Sequence, residues 1–155
     1  MPTSESLHAP MDTDDVPPVS DSEQLYRRLL PASWYRNSDH PIIPQRYFMP
    51  RPWQSPKYPG DTDGISVNRA SLTDAITASR RPDTGERIPM AQFSASDVFR
   101  INLSVRPCPL KQDISHAVIP ELNSLDRRDS AKEKKMEEWA IALRSCSTLI
   151  RPDVL

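Results

Sequence analysis

The chain has 155 residues and a formal net charge of −1, and it contains 17 prolines against 3 glycines. This length allows one domain with one hydrophobic core. Because proline removes a backbone donor and fixes φ, the composition excludes long helices and central strands in the proline-rich segments. No run of about 18 apolar residues occurs, so we expect no membrane-spanning helix.

Neither a secretory signal nor a disulfide scaffold is expected. The N-terminal segment is acidic and has no apolar stretch. The two cysteines, Cys108 and Cys146, lie far apart and outside any paired spacing, which is untypical of a disulfide-rich secreted domain and of a zinc site. We therefore expect a cytoplasmic protein with no bound metal and no other cofactor.

The charges are unevenly distributed along the chain. Residues 1–22 carry five acidic side chains and no Lys or Arg, so all 20 basic residues follow this segment, and 15 of them are Arg. The planar guanidinium suits carboxylate and phosphate groups, which favours an anionic partner. The alternative is an ordinary solvated surface.

Residues 1–20 are predicted to be a disordered acidic tail, because so polar a segment cannot bury enough apolar area to offset the entropy of ordering. A single domain is expected over residues 21–155. Its first predicted element is a short helix. Ser20 and Glu23 have capping-box spacing, and apolar residues then recur four apart before Pro31.

The middle of the chain is predicted to alternate short elements with loops. Residues 37–64 contain six prolines and are expected to be irregular. Alternating apolar residues then predict a strand over Ile65–Arg69, followed by a helix over Thr73–Ser79. Another strand is predicted over Ile88–Phe93.

Three further elements lead to the last part of the chain. Ser94, with Asp97 three residues later, is predicted to cap a short helix. Strands are then predicted over Leu103–Arg106 and His116–Ile119, each followed by proline.

The last element has the clearest pattern. Ser130 and Glu133 form a predicted capping box, and an amphipathic helix is expected over about residues 130–149. Its apolar stripe consists of Met136, Trp139, Ala140, Leu143, Cys146 and Ile150. We expect this stripe to cover a sheet, and Trp139 and Leu143 are the candidates for contact with a partner.

Together these elements predict an α+β fold. It would contain a small sheet of three to five short strands, two or three helices and proline-rich loops. Strands this short leave several strand orders open.

Three groups of residues carry a resemblance to other proteins. They are Leu25-Tyr26-Arg27-Arg28, the segment I-S-V-N-R-A-S-L at 65–72, and His116-Ala117. Over residues 24–119 the chain resembles a loose group of small bacterial proteins that share the landmarks L-Y-R-R, L-S-V-x-R-x-S-L and H-A. The resemblance implies a bacterial source and one shared domain, but no activity. The chain departs from the group at 43–47, where small residues are usual, and at 113–115, where N-P-A is usual.

One enzyme hypothesis uses four of these side chains. The order of Arg27, Ser66, His116 and Glu121 is loosely similar to folds of ADP-ribosyltransferase type, in which Arg or His holds the dinucleotide and a late Glu is catalytic. His116 could also act as an acid or base on its own. The alternative is a strand-edge imidazole bonded to a backbone carbonyl.

A second hypothesis is binding of single-stranded nucleic acid. The candidates Arg46, Tyr47, Arg51, Trp53 and Lys57 interleave basic and aromatic side chains in a proline-rich loop. Stacking on aromatic rings combined with phosphate contacts is how single strands are held. The alternative is that the aromatic residues anchor the loop in the core.

The leading expectation is a small, non-enzymatic accessory or regulatory protein that binds another protein. We expect its gene to lie in a bacterial conflict or mobile-element operon. Small size, few catalytic candidates and a tail and helix suited to docking favour this function over the enzyme and the nucleic-acid binder.

Overall fold

The computed structural model describes residues 10–30 and 43–151. The first nine residues of the predicted acidic tail and residues 31–42 lie outside the described part of the chain. Residues 10–20 lie along the domain, where Val16 is buried and the backbone N–H of Met11 donates to the Pro109 carbonyl at 2.8 Å.

In the described residues the architecture is one antiparallel sheet with three α-helices. The strands are β1 (Gln24–Arg28), β2 (Ile65–Arg69), β3 (Met90–Ser94), β4 (Arg106–Pro107), β5 (His116–Ile119) and β6 (Thr148–Ile150). Their order across the sheet is β4-β5-β2-β1-β3-β6. The helices are α1 (Ala75–Ser79), α2 (Ala95–Arg100) and α3 (Ser130–Cys146).

The predicted strand number was wrong, although the α+β class was right. The sheet has six strands rather than three to five. The two edge strands, β4 and β6, contain two and three residues. Such short segments cannot show a period-two pattern, and only their pairing with β5 and β3 makes them strands.

The helix predicted before Pro31 was also wrong, because this segment forms β1. Leu25 faces the core with no exposed surface, and β1 is hydrogen-bonded to strands on both sides. Glu23 does not cap a helix but turns inward to Arg69. Pairing with distant strands thus overrides the local four-residue repeat.

Several local patterns were interpreted correctly. β2 and β5 have the predicted bounds. The predicted helix at 73–79 is α1, and the strand predicted at 88–93 is β3, shifted by one or two residues at its ends. Ser94 and Asp97 form the expected capping box of α2.

The last helix is shorter than predicted, and its cap is a different residue. Asp129 rather than Ser130 caps α3, and its carboxylate accepts hydrogen bonds from the backbone N–H groups of Ala131 and Lys132 at 3.0 and 3.1 Å. The chain then leaves the helix and forms β6, which pairs with β3. Ile150, which was predicted to belong to the apolar stripe of the helix, therefore lies in β6.

The hydrophobic core includes residues from the sheet, from α3 and from a 3₁₀ turn at Gln45–Phe48. Phe48 meets Phe93 of β3 edge to face, with ring centroids 6.1 Å apart. The buried face of α3 contributes Met136, Ala140 and Leu143. The turn at 45–48 is thereby fixed against the sheet, which also fixes the residues that follow it.

A buried ion pair joins the start of β1 to the end of β2. The Arg69 side chain is 1% exposed, and its Nε and Nη2 donate to the Glu23 carboxylate at 3.0–3.2 Å. Nη2 also donates to the carbonyl of Pro18, and Ser71 donates its hydroxyl to Glu23. Burial would raise the pKa of Glu23, but the hydrogen bonds from Arg69 and Ser71 and the charge of Arg69 hold it below its usual value.

Replacing Glu23 is expected to destabilise the fold strongly. Glu23→Gln leaves the Arg69 charge buried without its counter-ion, and we expect the free energy of unfolding in denaturant to fall by about 3–5 kcal/mol. Glu138→Gln is the control, since this exposed carboxylate pairs with Lys135 on the surface of α3. This substitution should cost less than about 1 kcal/mol. Equal stability of the two variants would contradict the role given to this pair.

The same pair makes stability depend on pH in a defined direction. Because the pKa of Glu23 is lowered by folding, its contribution is complete above the usual carboxyl titration range and is lost as pH falls through the lowered pKa. The gap in unfolding free energy between wild type and Glu23→Gln should therefore narrow on acidification from neutral pH. A gap that widened at low pH would contradict this assignment.

Candidate functional site

The site begins where β1 and β2 separate. The two strands are paired at Leu25 with Arg69 and at Tyr26 with Asn68. Beyond these pairs the Arg27 side chain reaches across, and its guanidinium donates to the Ser66 carbonyl at 2.8 Å and to the Tyr47 carbonyl at 3.1 Å. Arg27 therefore joins the two strands and the turn at 45–48.

A pocket of about 390 Å³ opens beside this junction. We call it the arginine pocket. Its lining consists of Arg27, Arg28, Leu30, Arg46, Tyr47, Met49, Pro50, Arg51, Pro52, Asp61, Ser66, Asn68 and Arg127. It thus combines the ends of two strands with the proline-rich segment that follows the 3₁₀ turn.

Two of the five arginines in this lining are neutralised by carboxylates. Arg51 binds Asp61 with its guanidinium at 2.8 and 3.0 Å. Arg127 pairs with Glu133 of α3 at 3.0 Å and also donates to the Pro50 carbonyl.

The other three guanidinium groups, those of Arg27, Arg28 and Arg46, form no ion pair with a carboxylate in residues 10–30 and 43–151. An excess of positive charge is therefore concentrated in one concave site, which attracts anions.

Burial makes this excess charge costly for the free protein. It lowers the pKa of the Arg27 guanidinium to about 10, and the nearby Asp61 carboxylate opposes this shift only in part. Burial also lowers the pKa of Arg28. A guanidinium stays protonated in proteins. The charge and hydrogen bonds of a bound anion would therefore offset part of the cost of burying these two groups.

Backbone carbonyls hold Arg28 in place. Its Nη1 donates to the carbonyls of Ala78 and Arg80 at 3.2 and 3.0 Å, at the C-terminal end of α1. Arg46 differs in being exposed, and its guanidinium lies 5.0 Å from the centre of the Tyr47 ring. The pocket therefore combines two fixed arginines with a more accessible third.

Ser66 in the wall of the pocket is hydrogen-bonded to His116. The distance from Ser66 Oγ to His116 Nε2 is 3.3 Å, and His116 Nδ1 lies 2.9 Å from the Cys108 carbonyl. A carbonyl can only accept, so Nδ1 carries a proton, and in the neutral imidazole Nε2 then accepts from the serine hydroxyl. The contact of Nδ1 with the Cys108 carbonyl agrees with the alternative interpretation of His116 as a strand-edge imidazole bonded to a backbone carbonyl.

Glu121 does not line the pocket. Its carboxylate accepts from the backbone N–H of Ser104 at 2.8 Å and from the Ser104 hydroxyl at 2.6 Å. The structure thus brings Arg27, Ser66 and His116 together and leaves the fourth residue of the ADP-ribosyltransferase hypothesis in a separate contact.

The basic residues of the 46–58 loop lie on connected surfaces, but most of its aromatic residues do not offer a free ring. Arg51 and Pro52 line both the arginine pocket and a neighbouring depression that contains Lys57 and the exposed Tyr58. Tyr47 is buried, and Trp53 is partly buried with the Arg128 guanidinium 4.5 Å from its ring centre.

The candidates on the last helix contribute mainly to the core. Leu143 has no exposed surface. Trp139 is partly buried and packs against the core cluster, with the Lys135 ammonium 5.8 Å from its ring centre. The apolar stripe of α3 is therefore used for folding.

Sequence analysis missed Arg28, Asp61 and Arg127 as residues of the site. Arg28 stands next to a candidate in the L-Y-R-R segment, so its sequence position was a usable signal. Arg127 lies in a 3₁₀ turn at Asp126–Arg128, far along the chain from β1, and no local pattern links it to the pocket.

No family model, curated protein or solved structure matches the chain. The resemblance to small bacterial proteins therefore stays a prediction. In the described part of the chain, no three His, Cys, Asp or Glu side chains gather as metal ligands. None of the helices there has the length and apolar character needed to cross a bilayer.

Gly60 shapes the loop that holds Arg51 and Asp61. It has φ of +73°, and an added Cβ would lie 2.1 Å from the Arg51 carbonyl oxygen. We expect Gly60→Ala to lower the free energy of unfolding by about 1–3 kcal/mol through strain and this clash.

Gly85 offers a matched control, since its φ is +72° and an added Cβ would meet no atom within 4 Å. Gly85→Ala should therefore lower the free energy of unfolding only through the strain of a positive φ, without a steric clash. Denaturant unfolding should show a clearly larger loss for Gly60→Ala, and equal losses would contradict the close packing of this loop.

Proposed function

We propose that this protein is a small accessory protein that binds a protein partner by an anionic group held in the arginine pocket. The observation that carries the proposal is that three guanidinium groups around one concave site have no carboxylate partner in residues 10–30 and 43–151. A carboxylate or phosphate can accept two parallel hydrogen bonds from a guanidinium fork, so the groups present match this chemistry.

The pocket is large enough to admit an anionic side chain of a partner. Its volume of about 390 Å³ is near the lower end for small-ligand sites. An acidic or phosphorylated side chain would fit within this space. The exposed Arg46 at the rim would make the first contact, and the carbonyl-anchored Arg27 and Arg28 would hold the anion further inside.

Single-stranded nucleic acid fits the site less well. Such ligands are held by rings on which bases stack. Tyr47 is buried and the ring of Trp53 lies under Arg128, which leaves the exposed Tyr58 as the accessible ring of the loop.

The proposal includes a cytoplasmic location and a role within a bacterial conflict or mobile-element operon. Both cysteines are free thiols, which suits a reducing compartment.

The proposal is tested by using the full-length protein as bait in extracts of its native host. Arg46→Glu reverses an exposed charge of the pocket, and Lys134→Glu reverses an exposed charge on the outer face of α3. One protein partner should be recovered with wild type and with Lys134→Glu, and its recovery should fall about tenfold or more with Arg46→Glu. Added inorganic phosphate should compete for binding.

Two results would overturn the proposal. Recovery that is equal with Arg46→Glu and Lys134→Glu would remove the arginine pocket from the interface. Loss of all bound material after nuclease treatment would assign the basic loop to nucleic acid instead.

A further inference from the structure

We propose that Ser66 is a nucleophile, activated by His116, that attacks a phosphate ester bound in the arginine pocket. The inference rests on the proposed function in one respect, since it requires the pocket to hold an anion. It adds to that function a chemical class of ligand and a reaction.

A chain of hydrogen bonds runs from Ser66 through His116 to a backbone carbonyl. His116 Nδ1 donates to the Cys108 carbonyl at 2.9 Å, which directs the lone pair of Nε2 to the Ser66 hydroxyl at 3.3 Å. A nucleophile, a base and a group that orients the base are the three parts of a nucleophilic centre. A contact of this length is typical before substrate tightens it.

The register of the sheet sets the relative position of the two residues. Ser66 is paired with Val118, and Asn68 is paired with His116, on adjacent antiparallel strands. Ser66 and His116 are therefore diagonal neighbours on one face of the sheet. At Ser66, β2 is paired with β5 on one side, and on the other side, where β1 no longer pairs, the Ser66 carbonyl accepts from the Arg27 guanidinium.

A polar network supports the start of β5. Asp113 accepts hydrogen bonds from the Asn68 amide at 2.9 Å and from the backbone N–H and hydroxyl of Ser115 at 3.1 and 2.5 Å. Its carbonyl also accepts from the backbone N–H of His116 at 3.3 Å. These contacts position the imidazole relative to the pocket, since Asn68 lines its wall.

Positive charge lines the same pocket as Ser66. The Arg27 guanidinium donates to the carbonyl of Ser66 itself, and Arg28 and Arg46 line the same pocket. Phosphoryl transfer depends mainly on positioning and on neutralising the charge of the phosphoryl oxygens. Ser66 and these arginines line one pocket, so a phosphate group bound there would lie within one site with both the serine and the positive charge.

The reaction consumes the phosphate ester and one water molecule and needs no other reagent. Ser66 Oγ forms a bond to phosphorus while the bond from phosphorus to the ester oxygen breaks. The serine proton passes to His116 Nε2 and then to the leaving oxygen, which departs as an alcohol. Water next attacks the phosphoserine, His116 takes the proton of water and returns it to Ser66 Oγ, and inorganic phosphate is released.

The test uses full-length protein and p-nitrophenyl phosphate. Release of p-nitrophenolate and phosphorylation of Ser66, found by mass spectrometry, are expected for wild type. Ser66→Ala should abolish both, and His116→Gln should slow release by about 100-fold or more. Ser145→Ala is the matched control, since this exposed serine of α3 donates to the Ile141 carbonyl and should leave the rate unchanged.

Calorimetry with inorganic phosphate separates this inference from the proposed function. Binding of phosphate without release of p-nitrophenolate would overturn the reaction and leave the anion site in place. Release at the wild-type rate from Ser66→Ala would also overturn it. Phosphorylation of Ser66 that is lost in His116→Gln but unchanged in Arg46→Glu would support the nucleophile and count against the role of Arg46 in binding.

Discussion

The Glu23–Arg69 ion pair inside the core is the interaction on which the arrangement of the sheet depends. Two charges without solvent are stable only together, so the start of β1 and the end of β2 must lie side by side. The pair also holds the N-terminal segment through the Pro18 carbonyl. A residue from each of two distant segments is thus fixed at one point, which favours this register over a shifted one.

The position of the site follows from that register. With Leu25 opposite Arg69, the next residues of β1 bring Arg27 and Arg28 to the edge where the strands separate. The Arg27 guanidinium then binds a carbonyl of β2 and a carbonyl of the 45–48 turn, so the structure places a cation where two strands would otherwise continue to pair. The Arg27 guanidinium is thus buried at this junction, and it contributes to the excess positive charge of the arginine pocket.

Local sequence patterns predicted the parts of the fold that depend on neighbours in sequence. The alternation in β2 and β5 and the Ser94 cap of α2 are of this kind. The strand β1 was not predicted, because the contacts that form it are distant in sequence. Glu23, just before β1, pairs with Arg69, which lies 46 residues further along the chain, and no local pattern indicates this pairing. Arg27, Ser66 and His116 were predicted together with Glu121 in one enzyme hypothesis, whereas Asp61 and Arg127 join the pocket only through tertiary packing.

The central claim is that the arginine pocket binds an anion. It is tested most directly by following the Nε–Hε resonances of the arginines by NMR during titration with inorganic phosphate. The account predicts saturable shifts for Arg27, Arg28 and Arg46 and none for Arg100, which is exposed on α2 and lies outside the pocket lining. Shifts that are equal for all arginines, or absent at the three pocket residues, would contradict it.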